Sequence, residues 1–204
     1  MAYQPEKAGI LEGGKFKMKI GFTGTREGMT QKQKDIFVGI INSLFITEFH
    51  DGNCNGSDLQ ARDIVLENAK KPLTFHIHPH NKFVRPLLRK NNQLNHKVVI
   101  HPAKSPLERN HDIVDACGED AIVCCPKGNE IVRSGTWATI RYAKKKSIKT
   151  GLDVYIIYPD GQLAQINYGG PRCPDCGAKN YVQEPDDEYP FIRCCECDKV
   201  WFSD

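Results

Sequence analysis

The chain has 204 residues, 40% of them hydrophobic and 26% charged, with a formal net charge of +3. That length allows one substantial domain and a small one rather than two full-sized domains. The net charge is too small to argue for nucleic acid by itself, and no apolar run is long enough to span a bilayer. The amino-terminal residues have no apolar signal-peptide core, and nine cysteines in such a chain suggest thiols and metal ligands in a reducing compartment, so the expected location is cytoplasmic.

Residues 1–15, with Gly9, Gly13 and Gly14, read as a loose lead-in. Residues 16–22 alternate lysine with apolar side chains and predict a first strand. Residues 31–46 place Ile36, Phe37, Ile40, Ile41, Leu44 and Phe45 at helical spacing behind Thr30, an expected N-cap. A short strand over 48–50 precedes a second helix, capped by Ser57, whose apolar face includes Leu59, Ala61, Ile64, Val65 and Leu66. Residues 73–78 predict a strand ending at Pro79.

Residues 80–95 are basic and lack a clean period, which predicts a loop-like insertion. A brief apolar run at 98–100 leads to a helix over 106–116, with proline early, where its missing N–H costs little. Residues 121–125 are wholly apolar, as in strands of buried parallel sheets. A helix over 136–146 ends in three lysines that suit its dipole. A strand over 153–158 turns at Pro159-Asp160-Gly161 and returns over 163–167 as a hairpin. This alternation predicts an α/β, Rossmann-like, doubly wound and mainly parallel sheet over residues 16–168.

Residues 171–204 form a separate module. Cys173 with Cys176, and Cys194 with Cys197, are two Cys-x-x-Cys knuckles on either side of a 17-residue excursion. Four thiolates so spaced match a closed tetrahedral structural zinc site, with Cys195 spare. So short a segment buries too little apolar surface to hold itself together without such a clip. The module carries eight acidic against four basic residues, so the positive charge lies with the larger domain.

Four polar loops follow predicted strands or open helices: Thr23-Gly24-Thr25-Arg26, the stretch from Gly52 through Gly56 to Asp58, Glu108-Arg109-Asn110, and Arg133-Ser134-Gly135-Thr136-Trp137. In an open parallel sheet such loops meet at the carboxyl edge of the strands, where ligands bind, and backbone N–H groups at helix starts favour an anion there. Gly24 and Gly135 permit close approach of the backbone to phosphate. Thr25, Ser134 and Thr136 offer hydroxyls, and Arg26, Arg109 and Arg133 offer forked donors. Asp58 can accept from a ribose hydroxyl or hold its own loop; Trp137 and Tyr142 offer stacking surface. The segment Gly21–Gly28 fits neither the P-loop nor the Gly-x-Gly-x-x-Gly fingerprint.

These loops resemble the SLOG superfamily, the Rossmann-like group that contains the Lonely Guy enzymes, DNA-processing protein A and nucleotide-sensing domains of bacterial defence systems. Gly52 to Asp58 is similar to the Gly-Gly-Ala-x-Gly-x-Asp element of the DNA-processing proteins. Glu108-Arg109-Asn110 with Asp112-Ile113-Val114 is similar to their Arg-Asn-Arg-Ile segment. Glu130 and Arg133 to Thr136 occupy the place of the Lonely Guy Pro-Gly-Gly-x-Gly-Thr-x-x-Glu motif, but the double glycine is missing and no glutamate follows Thr136 at the motif's spacing.

The resemblance implies binding of a nucleotide or nucleotide-derived ligand, with homo-oligomerisation by analogy. Two alternatives stay open. One is N-glycosidic cleavage of a nucleoside monophosphate, with Glu130 as the first carboxylate for acid–base work and Asp58 and Glu108 next. The other is binding of single-stranded nucleic acid, helped by Lys82, Arg85 and Arg89. His76, His78 and His80 fall on alternate positions of a strand end; a metal site there is weighed against a hydrogen-bonding role beside the anion pocket, and the latter is the expectation.

Overall fold

The computed structural model describes residues 18–81, 94–167 and three short strands of the tail. The lead-in, the basic residues Lys82, Arg85, Arg89 and Lys90, and Cys173, Cys176 and Cys197 lie outside the described residues, as does the side chain of Cys194. The chain divides into two compact units, Lys17–Tyr168 and a second made of Met1–Phe16 with Gly169–Asp204.

The larger unit runs β1 (Met18–Gly24), α1 (Gln31–Ser43), β2 (Ile46–Asp51), α2 (Ser57–Asn68), β3 (Thr74–Ile77), β4 (Lys97–Ile100), α3 (Pro106–Cys117), β5 (Ala121–Cys125), α4 (Gly135–Thr150), β6 (Asp153–Ile157) and β7 (Leu163–Ile166). Its seven-stranded sheet has the order β4-β3-β2-β1-β5-β6-β7. All pairings are parallel except the final β6–β7 hairpin. The strand order reverses beside β1, which has β2 on one side and β5 on the other, and a crevice opens at such a switch point beyond the strand ends.

Alternation along the strands feeds two cores. On one face Ile20, Phe22, Phe49, Phe75 and Val123 pack with Phe37, Ile40 and Ile41 of α1 and Val65 and Leu66 of α2. On the other, Ile122, Cys124, Val154 and Ile156 pack with Ile113 and Val114 of α3 and Trp137 and Ile140 of α4. Cys124 and Cys125 are fully buried packing groups whose thiols burial pushes far up from their ordinary pKa.

Helix ends follow local chemistry. Thr30 Oγ1 accepts from Gln33 N and Gln33 Oε1 accepts from Thr30 N, a reciprocal capping box. Gln33 Nε2 also donates to the carbonyls of Pro126 and Ile157, which ties the start of α1 to the ends of β5 and β6. Pro106 opens α3 as expected, and α4 runs four residues beyond its expected end to stop at Gly151 in the left-handed conformation. One expectation fails: Gly56, not Ser57, occupies the N-cap of α2. Ser57 is the first helical residue, fully buried, and its backbone N–H donates to Thr25 O at 3.0 Å, which joins the second loop to the first.

The tail contains β8 (Tyr181–Glu184), β9 (Phe191–Cys194) and β10 (Val200–Phe202), an antiparallel sheet in the order β10-β9-β8. Among the described residues no helix is long and apolar enough to cross a membrane.

Candidate functional site

A cleft of about 290 Å³ lies at the carboxyl ends of the strands around β1 and β5, and all four predicted loops contribute to it. Its lining includes Gly24, Thr25 and Arg26 after β1, Asp58 at the start of α2, Arg109 and Asn110 on α3, and Ser134, Gly135 and Thr136 at the start of α4. Of the sequence-predicted ligand residues, Gly56 and Arg133 are not in this lining. Gly56 has φ +80° and passes so close to the backbone of Arg26 that a Cβ would overlap it, so its role is loop closure. Arg133 is exposed. Cys54, Pro106, Lys127 and Ile131 also line the cleft without having been singled out.

The walls are locked by contacts between loops. Thr136 Oγ1 donates to Gly24 O at 3.0 Å, so its proton ties α4 to β1 rather than serving a ligand. Ser134 Oγ accepts from Trp137 N, and Thr25 Oγ1 accepts from Glu27 N. Both of these hydroxyls keep a proton to donate. Asn110 Nδ2 donates to Thr139 Oγ1 at 2.8 Å and bridges α3 to α4. A Cβ on Gly24 would overlap Ser57, so the absence of a side chain there lets β1 meet α2.

Arg109 and Asp58 form the centre of the electrostatics. Arg109 is 5% exposed. Its Nη2 donates to Cys54 Sγ at 3.2 Å, Nη1 lies 3.6 Å from Asp58 Oδ2, and Nε has no hydrogen-bond partner. A guanidinium has five N–H donors, so this one is under-satisfied. The neighbouring Asp58 carboxyl is pushed up to about 7, first by burial and then by the charge of Asp51, against the opposing pull of Arg109, the Cys54 N–H and Arg62. A carboxyl that is partly neutral near pH 7 leaves the cation beside it incompletely balanced.

Behind the loop after β2 sits a buried ion pair invisible in the pattern of α2. Arg62 Nε donates to Asp51 Oδ2 at 2.9 Å, its Nη2 donates to Asp51 Oδ1, and Nη2 also reaches Asn53 Oδ1 at 3.4 Å. Asp51 Oδ1 further accepts from Asn53 N. Asn53 has φ 55°, an unusual conformation for a residue other than glycine, and this network holds it. At Gly52, a Cβ would coincide with the Arg109 guanidinium, so only glycine lets that side chain cross the loop.

Three other expected residues fall elsewhere. Glu130 is exposed outside the cleft lining, with Arg141 Nη1 donating to its Oε1 at 2.9 Å. Trp137 is a core residue, 3% exposed, and Tyr142 stacks on His111 and donates to Asp115. Neither aromatic ring lines the cleft as a base platform.

Of the three histidines at alternate positions, His76 and His78 share one cluster and His80 does not. His80 is exposed, whereas His50, His76, His78 and His101 stack across three strands. Glu48, His50 and His76 form a group whose ligand atoms all lie within 4.8 Å of one another and can hold a metal ion.

No family model, curated protein or solved structure matches the chain.

Proposed function

We propose that the cleft binds a phosphate-bearing small molecule, specifically a nucleotide. The observation that carries this reading is Arg109, a nearly buried guanidinium with spare donors in the wall of a polar cleft at a switch point. The start of α4 adds helix N–H groups, Arg26 adds a second guanidinium at the exposed rim, and Pro106 and Ile131 add apolar surface suited to a base. The resemblance to SLOG proteins rests on the same four loops and leads to the same proposal.

Thermal shift and calorimetry with inorganic phosphate and a panel of nucleoside mono-, di- and triphosphates test it. At least one nucleotide is expected to bind more tightly than phosphate alone. Arg109→Lys, which keeps the charge but loses the fork, is expected to weaken binding about tenfold or more. A panel without any response at millimolar concentration, or an Arg109→Lys variant that binds like wild type, would overturn the reading.

A second reading, cleavage of the N-glycosidic bond, is favoured by one observation: the cleft wall holds a buried carboxyl, Asp58, which burial pushes up to about 7. In it Asp58 rather than the exposed Glu130 supplies the acid–base group. Free base released in the same incubations, lost in Asp58→Asn and kept in Glu130→Gln, would distinguish catalysis from binding alone.

Asp58 also makes binding depend on pH. An anion close by favours the protonated carboxyl, so binding takes up a proton and affinity falls as pH rises through about 7. The charged and titratable groups around it are Asp51, Arg62, Arg109 and the Cys125 thiol. The same shift acts on stability. The folded value of Asp58 lies above its ordinary value of 3.8, so the favourable contribution is full below about 4 and is lost as pH rises to about 7. Calorimetry from pH 6 to 8 is expected to show a steeper loss of affinity in wild type than in Asp58→Asn, with the ligand phosphate's own titration common to both.

We also propose that Cys173, Cys176, Cys194 and Cys197 hold a structural zinc ion. The support is the donor set and its spacing, four soft thiolates in two knuckles.

A further inference from the structure

The sheet edge formed by β2, β3 and β4 has one face unlike the rest. In register, His50 of β2 lies beside His76 of β3. Glu48 is two residues before His50, on the same face of its strand, and His78 and His101 continue the face beyond β3 and β4. The rings of His50 and His76 stack at 4.3 Å between centroids, and those of His78 and His101 at 4.1 Å.

We propose that Glu48, His50 and His76 bind a divalent first-row transition metal ion through Glu48 Oε2 and the two imidazole Nε2 atoms, with His78 and His101 orienting the ligands. The distances argue for an ion rather than a hydrogen-bonded cluster. Glu48 Oε2 lies 3.6 Å from His50 Nε2 and 3.4 Å from His76 Nε2, both longer than a good hydrogen bond. Two ligands about 2.1 Å from a tetrahedral metal stand about 3.4 Å apart, which matches this spacing. The two ring planes stand within 10° of parallel, so each ring must turn toward the ion to bring its Nε2 lone pair onto it.

Independent support comes from His50. It is 3% exposed, and its Nε2 is enclosed without a hydrogen-bond partner while facing the carboxylate. In the tautomer whose Nδ1–H donates to His78, the Nε2 lone pair faces the carboxylate, and a cation between the two removes that conflict.

The other ring nitrogens fit the same assignment. His50 Nδ1 lies 3.1 Å from His78 Nε2, and His76 Nδ1 lies 3.1 Å from His101 Nε2. With both Nε2 atoms on the metal, each Nδ1–H donates to the outer ring. This is the second-shell arrangement that fixes a metal-bound imidazole. One carboxylate and two imidazoles leave a coordination position for water or a ligand atom, unlike a closed four-thiolate site.

Cobalt(II) titration of the full chain, followed by absorption, tests the proposal, because thiolate-bound cobalt shows sulfur charge-transfer bands that an N/O site lacks. Wild type is expected to bind one cobalt ion without those bands and to gain thermal stability from it. Glu48→Gln, which preserves shape and removes charge, is expected to bind at least about tenfold more weakly, and His101→Phe about 10–100-fold more weakly. His76→Ala is expected to lose the site, and Glu48→Gln decides the matter if that variant fails to fold. Absence of a sulfur-free cobalt ion in wild type at millimolar metal, or equal affinity in wild type and Glu48→Gln, would overturn it.

Discussion

Replacing Asp51 by alanine is expected to destabilise the larger unit by about 3–5 kcal/mol, the cost of leaving a buried charge without its partner. Asp51 is fully buried and Arg62 is 1% exposed, so water cannot take over for the lost carboxylate. Arg62→Ala should cost a similar amount by stranding Asp51. The carboxylate also accepts from Asn53 N, and the Asp51 carbonyl accepts from His78 N at 2.8 Å. Asp51→Ala keeps the carbonyl bond but loses the carboxylate that holds Asn53, which loosens the loop leading to Cys54 and Asp58 in the cleft wall.

A double replacement, Asp51→Leu with Arg62→Met, separates fold from function. Apolar groups of similar volume often match or exceed a buried pair in stability. The double variant should recover most of the lost stability in urea unfolding but not the Asn53 conformation, so nucleotide affinity should stay low. A loss below about 1 kcal/mol in Asp51→Ala would mean that the pair is solvated in the folded protein.

The contrast between this ion pair and the cleft explains what the sequence made legible. Residues 121–125 are apolar without interruption, and only a strand buried on both faces suits them; all five are buried. Thr30 and Gln33 stand at capping-box spacing, so the start of α1 could be located. The cleft residues could be found because polar side chains at strand ends conflict with the apolar runs before them. Arg62 carries no such signal: α2 is weakly amphipathic, and a charged residue among Ala61, Ile64 and Val65 reads as solvent-facing.

Registers and caps were less accessible. The histidine group needs the pairing of β2 with β3 and of β3 with β4, which no local pattern specifies; alternation along one strand points to His80 beside His76 and His78, where His50 and His101 belong. At the start of α2 the hydroxyl of Ser57 points to that residue as the cap, and only the backbone shows that Gly56 holds the position. Trp137 is different, since its signal was present. Trp137, Ile140 and Ala143 recur every third residue along α4, the mark of a core face, and all three are buried.

The same close packing makes Gly52→Ala the most informative single change for ligand binding. Gly52 adopts no left-handed conformation, so alanine meets no backbone penalty there. The added methyl would instead occupy the position of Arg109 Nη1 and approach Asp58 Oδ2. The guanidinium is attached to α3 and is the movable partner, so it should swing out of the wall. Loss of its charge-assisted contacts is expected to weaken nucleotide binding by about 10–100-fold, the equivalent of about 1.5–3 kcal/mol.

Arg109→Ala should produce the same loss, and the double variant should be no worse than either single one, because both changes remove one group. Calorimetry on the four proteins completes the cycle. Additive losses would show that Gly52 acts through something other than Arg109. Undiminished binding in Gly52→Ala would show that the anion site does not depend on the position of this guanidinium.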